Sequence, residues 1–138
     1  MEIRKIGVLT SGGDAPGMNA SVRAVVRAGR AFGWDVVGIM RGYQGIFDRD
    51  MIAMNSRSVS GIINRGGTIL KSDRCMEMYE PEGRAKAADI LKEEGVEGVI
   101  LGCTEIPLLV KQEDVSVPVF DTTEIHAEAA VKYALDGR

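Results

Sequence analysis

The chain has 138 residues, 45% hydrophobic and 27% charged, with a formal net charge of −3. This is the composition of one globular domain with one core, and it has no overall attraction for nucleic acid or an anionic membrane surface. No apolar run reaches the ~18 residues of a membrane span, the first residues lack the apolar stretch of an export signal, and Cys75 and Cys103 read as free thiols, so the expected compartment is the cytoplasm.

The elements follow in order. Lys5–Thr10 is a short apolar run bounded by Ser11-Gly12-Gly13, which predicts a buried strand. Pro16 suits a first helical turn, and Val22, Val25, Val26 and Gly29 then recur at helical spacing up to Gly33. Asp35–Met40 predicts a second strand, and Arg41–Phe47 a glycine-punctuated loop or short helix. Ser56 or Ser58 caps an expected short helix with Val59, Ile62 and Ile63 inward, broken by Gly66-Gly67. Thr68–Leu70 reads as a short strand and Lys71–Glu80 as loop. Pro81 opens a helix with Ala87, Ala88, Ile90 and Leu91 inward, ending near Gly95. Val96–Leu101 is a buried strand, Ile106–Val110 a short helix and Val117–Phe120 a strand. Asp121 caps a last helix, with Glu124 at the reciprocal capping-box position and Ala127, Ala130, Val131 and Ala134 inward.

Alternating strands and helices predict one three-layer α/β/α domain with a mainly parallel sheet of about five strands, flavodoxin-like or Rossmann-like. In such sheets a ligand lies beyond the carboxyl ends of the strands. The loop Ser11–Asn19 sits there, between a strand and a helix. Its glycines and the helix N-terminus suit a phosphate, and a tight turn capped by Asp14 accounts for it equally well. The loop fits neither the Walker pattern nor GxGxxG.

The runs IGVLTSGGDAPGMNASVRAVVR, GYQGI, IINRGGTILKSDRC and EGRAKAADILKEEGVEGV resemble the N-terminal part of ATP-dependent 6-phosphofructokinase over about residues 1–98. The resemblance implies a nucleotide lined by Gly13, Tyr43, Arg74 and Cys75. Backbone N–H groups and a guanidinium suit phosphate, and a tyrosine ring can pack on a base. Arg23 and Arg27 match helix arginines that meet a phosphorylated effector in that family; as residues alone they read as a solvated helix face.

After VEGVIL this chain has Gly102-Cys103-Thr104-Glu105, where the kinase family has Gly-Gly-Asp-Gly-Ser with its magnesium-site aspartate. No metal site is expected. VILGCTEIPLLV and VPVFDTTEIHAEAAVKYAL resemble the C-terminal end of the aspartate/glutamate racemase family, in which Cys103 matches one of two catalytic cysteines; nothing matches the other. The only histidine, His126, reads as a surface or capping residue. Residues 98–138 hold 3 basic and 7 acidic side chains, against 14 and 13 before them, so a charge shift coincides with the change of resemblance.

Together these observations predict an engineered or recombined chimera: a folded scaffold without native turnover that needs no cofactor, keeps weak ATP, ADP or phosphate binding at Gly12–Asn19, and covers any apolar surface as a homodimer. The alternative is an active enzyme, either a 6-phosphofructokinase-type kinase or a cysteine-dependent amino-acid racemase.

Overall fold

The computed structural model describes residues 3–13, 15–101, 111–114 and 118–136. Five strands, β1 (Lys5–Leu9), β2 (Asp35–Ile39), β3 (Met51–Met54), β4 (Gly98–Leu101) and β5 (Val119–Asp121), form one sheet in the order β3-β2-β1-β4-β5. β1 pairs parallel with β2 on one side and β4 on the other, and β4 pairs parallel with β5. This is the expected α/β architecture with a mainly parallel sheet.

Side-chain alternation along β1 builds two cores. Ile6 and Val8 face α1 (Met18–Ala31), packing with Val22, Val26 and Val36. Leu9 faces the opposite side, with Ile39, Ile46 and the Ala87, Ile90 and Leu91 stripe of α3 (Pro81–Glu93). The short α2 spans Gln44–Phe47. The start of β1 is tied to the corner before β4: a Glu97 carboxylate oxygen accepts the backbone N–H groups of Arg4 (2.6 Å) and Lys5 (3.0 Å). Those bonds hold the Glu97 carboxyl below its ordinary pKa.

Three local expectations need correction, and one strand goes beyond the expected elements. Met51–Met54 is an antiparallel edge strand on β2, with Val36 opposite Met54 and Ile39 opposite Met51; the short apolar run MIAM was the available signal. No helix forms at 56–63. The Asn55 side chain accepts the N–H groups of Arg57 and Ser58, as a helix start would, but Gly61 turns to φ 66° and stops propagation. Val59 and Ile62 are still buried, whereas Ile63 is exposed. Thr68–Leu70 is a turn rather than a strand, because Thr10 and Arg41 take its polar groups from the sheet's end.

The third correction concerns the last helix, α4 (Thr122–Leu135). Asp121 caps it as expected, accepting from the N–H groups of Thr123 (2.8 Å) and Glu124 (3.2 Å). Yet Ala127, Ala130, Val131 and Ala134 are all exposed. Its stripe is mostly alanine, which offers little area to bury, so cap and connection place the helix without closing it onto the sheet. No helix among the described residues is long and apolar enough to cross a membrane.

Candidate functional site

Three loops meet at the carboxyl ends of β1 and β2. Thr10, the residue after β1, is buried, and its hydroxyl donates to the Lys71 carbonyl oxygen (3.0 Å). The Thr68 hydroxyl lies 2.8 Å away and accepts the Leu70 N–H. Thr10 therefore accepts from Thr68, and the proton directions along this chain are set. The Arg41 N–H donates to the Leu70 carbonyl oxygen (2.7 Å), which joins the turn after β2 to the same segment. Gly42 sits between them at φ 61°; a Cβ there falls 3.1 Å from the Thr10 carbonyl oxygen, so the turn requires glycine. Arg41 itself is left-handed (φ 57°) and is held by ion pairs to Asp48 (2.9 Å) and Asp50 (3.2 Å).

The predicted residues divide by burial. Gly13 is exposed, and nothing lies within 4 Å of the position its Cβ would take, so the loop borders open space. Arg74 is exposed on the segment that crosses the strand ends. Tyr43 and Cys75 instead belong to one buried cluster with Leu9 and Ile39. They form the floor under the loops, and Tyr43 is too enclosed to offer its whole ring to a ligand. Burial pushes the Cys75 thiol above its ordinary pKa, reinforced by the Glu77 carboxylate, so it is a neutral packing thiol at pH 7. Cys103 and Asp14 lie outside the described residues.

On the other side of the glycine loop, a pocket of about 280 Å3 opens between the start of α1 and residues 63–67. Its wall is fixed by Asn19, whose buried amide donates to the Arg65 carbonyl oxygen (3.2 Å) and accepts the Ile69 N–H (2.8 Å). The roles of Asn19, Thr10, Thr68 and Gly42 are cross-loop contacts, which the loop and motif patterns alone do not specify. Asn19, a polar residue in the first turn after a glycine loop, was the one with a local signal. Arg23 is partly committed to the fold, donating to the Val59 carbonyl oxygen (2.6 Å), whereas Arg27 is exposed as expected. Among the described residues no three His, Cys, Asp or Glu side chains converge as a metal cluster.

The family model for phosphofructokinase matches residues 5–104. The chain belongs to the phosphofructokinase family. It is 56% identical over 101 residues to an ATP-dependent 6-phosphofructokinase from Paenibacillus macquariensis, covering 73% of this chain and 31% of that one. A relative of the same name from Halothermothrix orenii is 59% identical over 99 residues, 72% of this chain and 30% of that one. The chain thus spans about a third of the length of these relatives. Among solved structures, phosphofructokinase from Saccharomyces cerevisiae superposes with TM-score 0.69 at 34% identity, over 84% of this chain and 19% of that one. A protein from Yersinia pestis assigned as an Asp/Glu racemase superposes with TM-score 0.52 at 33% identity, over 96% of this chain and 49% of that one.

These comparisons overturn the expectation of a scaffold without turnover. The phosphofructokinase match is strong, and it runs through residue 104, beyond the expected seam near residue 98. The racemase likeness is weaker and spreads over nearly the whole chain, so it does not single out residues 98–138 as a separate piece. A portion of a phosphofructokinase-type enzyme accounts for the chain better.

Proposed function

We propose that this chain carries the ATP side of 6-phosphofructokinase chemistry, in which the terminal phosphoryl group of ATP passes to a hydroxyl of fructose 6-phosphate and ADP leaves. The observation that carries this reading is the meeting of the Gly12-Gly13, Gly42 and Lys71–Cys75 loops at the carboxyl edge of the sheet, in a chain of this family. Backbone N–H groups of the glycine loop and of the first turn of α1 face the phosphates, and Arg74 supplies a guanidinium. Tyr43 and Cys75 hold the floor beneath. Phosphoryl transfer rests on positioning and charge neutralisation, so these groups act by holding the chain of phosphates in line. Magnesium would enter with the nucleotide, carried on its phosphates; the described residues gather no acidic cluster that would hold it. The acceptor for the sugar hydroxyl's proton is not among the residues gathered at this edge, and complete turnover draws on the remainder of a phosphofructokinase. ATP and sugar phosphates place this role in the cytoplasm.

Thermal unfolding with and without magnesium-ATP, ADP and inorganic phosphate tests the reading. At ten times Kd a ligand adds about 1.4 kcal/mol, or roughly 4–5 °C for a chain of this size. Arg74→Ala should reduce the ATP shift without lowering the unliganded midpoint. A coupled assay with fructose 6-phosphate reads transfer, and any rate should fall in the same variant. No shift at millimolar ATP would remove the proposal.

A further inference from the structure

Apart from Tyr43 and Cys75, the buried polar side chains among the described residues are Thr10 and Asn19. Both reach from the β1–α1 unit to the stretch between Arg65 and Lys71. Asn19 holds the start of that stretch and Thr10 its end. The Thr10 hydroxyl donates to the Lys71 carbonyl oxygen, and Lys71 is left-handed at φ 61°. An L side chain rarely adopts that conformation, so its surroundings have to hold it. They do so from three sides. The Lys71 N–H closes a turn on the Thr68 carbonyl oxygen (3.1 Å), the Arg41 N–H takes the Leu70 carbonyl oxygen, and Thr10 takes that of Lys71. Beyond the bend, the Asp73 backbone lies against Gly42, with its N and O each 3.7 Å from where a Cβ would stand. Arg74 follows at once, its N–H donating to the Asp73 carboxylate (2.8 Å). Thr10 therefore directly precedes Ser11-Gly12-Gly13 and also holds the bend that leads to Arg74.

We propose that Thr10 is a positioning residue for the nucleotide phosphates: its hydroxyl, through the Lys71 carbonyl oxygen, sets where Arg74 stands relative to the glycine loop. The role rests on the nucleotide reading of this edge given above. A valine of similar shape would fill the Thr10 site, whereas a buried hydroxyl is costly unless it is bonded. Both hydrogen bonds of this hydroxyl go to the 68–71 turn. One short side chain thus couples the two loops assigned to phosphate. Serine keeps that coupling; valine removes it and leaves the Lys71 carbonyl oxygen without its donor. Without Thr10 the left-handed bend loses one of its three restraints, and Arg74 shifts with it. A guanidinium–phosphate contact tolerates little displacement, because its hydrogen bonds are directional.

Isothermal titration of magnesium-ATP into the chain and its variants tests this. Thr10→Val should weaken ATP binding about five- to tenfold, and Thr10→Ser should stay within about twofold of the parent. In an Arg74→Ala background Thr10→Val should change the affinity by less than about twofold, because its effect passes through that side chain. Val36→Ala, at the amino end of β2, lowers stability by emptying core volume and should leave the affinity unchanged, which separates positioning from general loosening. Should Thr10→Val not fold, Thr68→Val takes away the acceptor of the Leu70 N–H in the same turn. It should weaken ATP binding in the same direction, again with no further loss beside Arg74→Ala. Absence of ATP binding in the parent chain removes the nucleotide reading and this role with it. ATP binding that a folded Thr10→Val or Thr68→Val chain keeps in full, that Thr10→Ser fails to restore, or that falls as far in the Arg74→Ala background overturns the Thr10 role alone.

Discussion

Two glycines in neighbouring loops separate a ligand requirement from a folding requirement. Gly42 has φ 61°, and an added Cβ meets the Thr10 carbonyl oxygen at 3.1 Å. Left-handed backbone costs an L-residue roughly 1–2 kcal/mol, and the close contact with rigid backbone adds about 1 kcal/mol more. For 138 residues the unfolding entropy is near 290 cal/mol/K, so each kcal/mol is worth about 3–4 °C. Gly42→Ala should therefore lower the melting midpoint by about 7–10 °C. Gly13 has an unstrained backbone and open space around its Cβ position. Gly13→Ala should stay within about 0.5 kcal/mol, or 2 °C, of the parent. Its added methyl projects into the space assigned to the nucleotide phosphates, so the stabilisation by ATP should fall by most of its value. Differential scanning fluorimetry of both variants, with and without magnesium-ATP, decides the matter. A Gly13→Ala protein that melts as low as Gly42→Ala makes the loop a folding element. One that melts like the parent and keeps its full ATP shift places the phosphates elsewhere.

Three further outcomes follow from the same structure. Asp121→Ala removes the cap of α4 and should cost that helix about 1 kcal/mol; because α4 buries no side chain, amide exchange should quicken through 122–135 while the core strands keep their protection. Cys75 should react slowly with a thiol reagent at pH 7.4 and quickly once the chain is unfolded. Its folded pKa is raised, so its contribution to stability is complete below the unfolded thiol's pKa and declines as pH rises through it, and Cys75→Ala should lose that alkaline component in urea titrations at pH 7 and 9.5. Glu97 has a lowered folded pKa, so its contribution is complete above the ordinary carboxyl range and is lost as pH falls through the folded value. Glu97→Gln should flatten the acid limb of stability between pH 6 and 3, and an unchanged limb would show that its bonds to Arg4 and Lys5 carry no net effect.

Local pattern determined the runs that form β1, β2, β4 and β5, the inward stripes of α1 and α3 and the Asp121 cap, because each rests on residues only a few positions apart. Long ordered motifs also pointed to the kinase family. Tertiary structure decided what depends on distant partners. The segment Asn55–Gly67 starts like a helix, yet Gly61 reverses it, and Val59 and Ile62 are buried by α1 instead. Met51–Met54 becomes a strand because β2 has a free edge. Tyr43 and Cys75, which the motif marks as nucleotide contacts, are mostly buried with Leu9 and Ile39, a placement set by distant residues. Length and charge bounded the chain to one acidic α/β domain. Whether its last helix would cover that domain was a question of buried area: an alanine stripe with correct spacing has too little of it, and a groove beside α1 stays open.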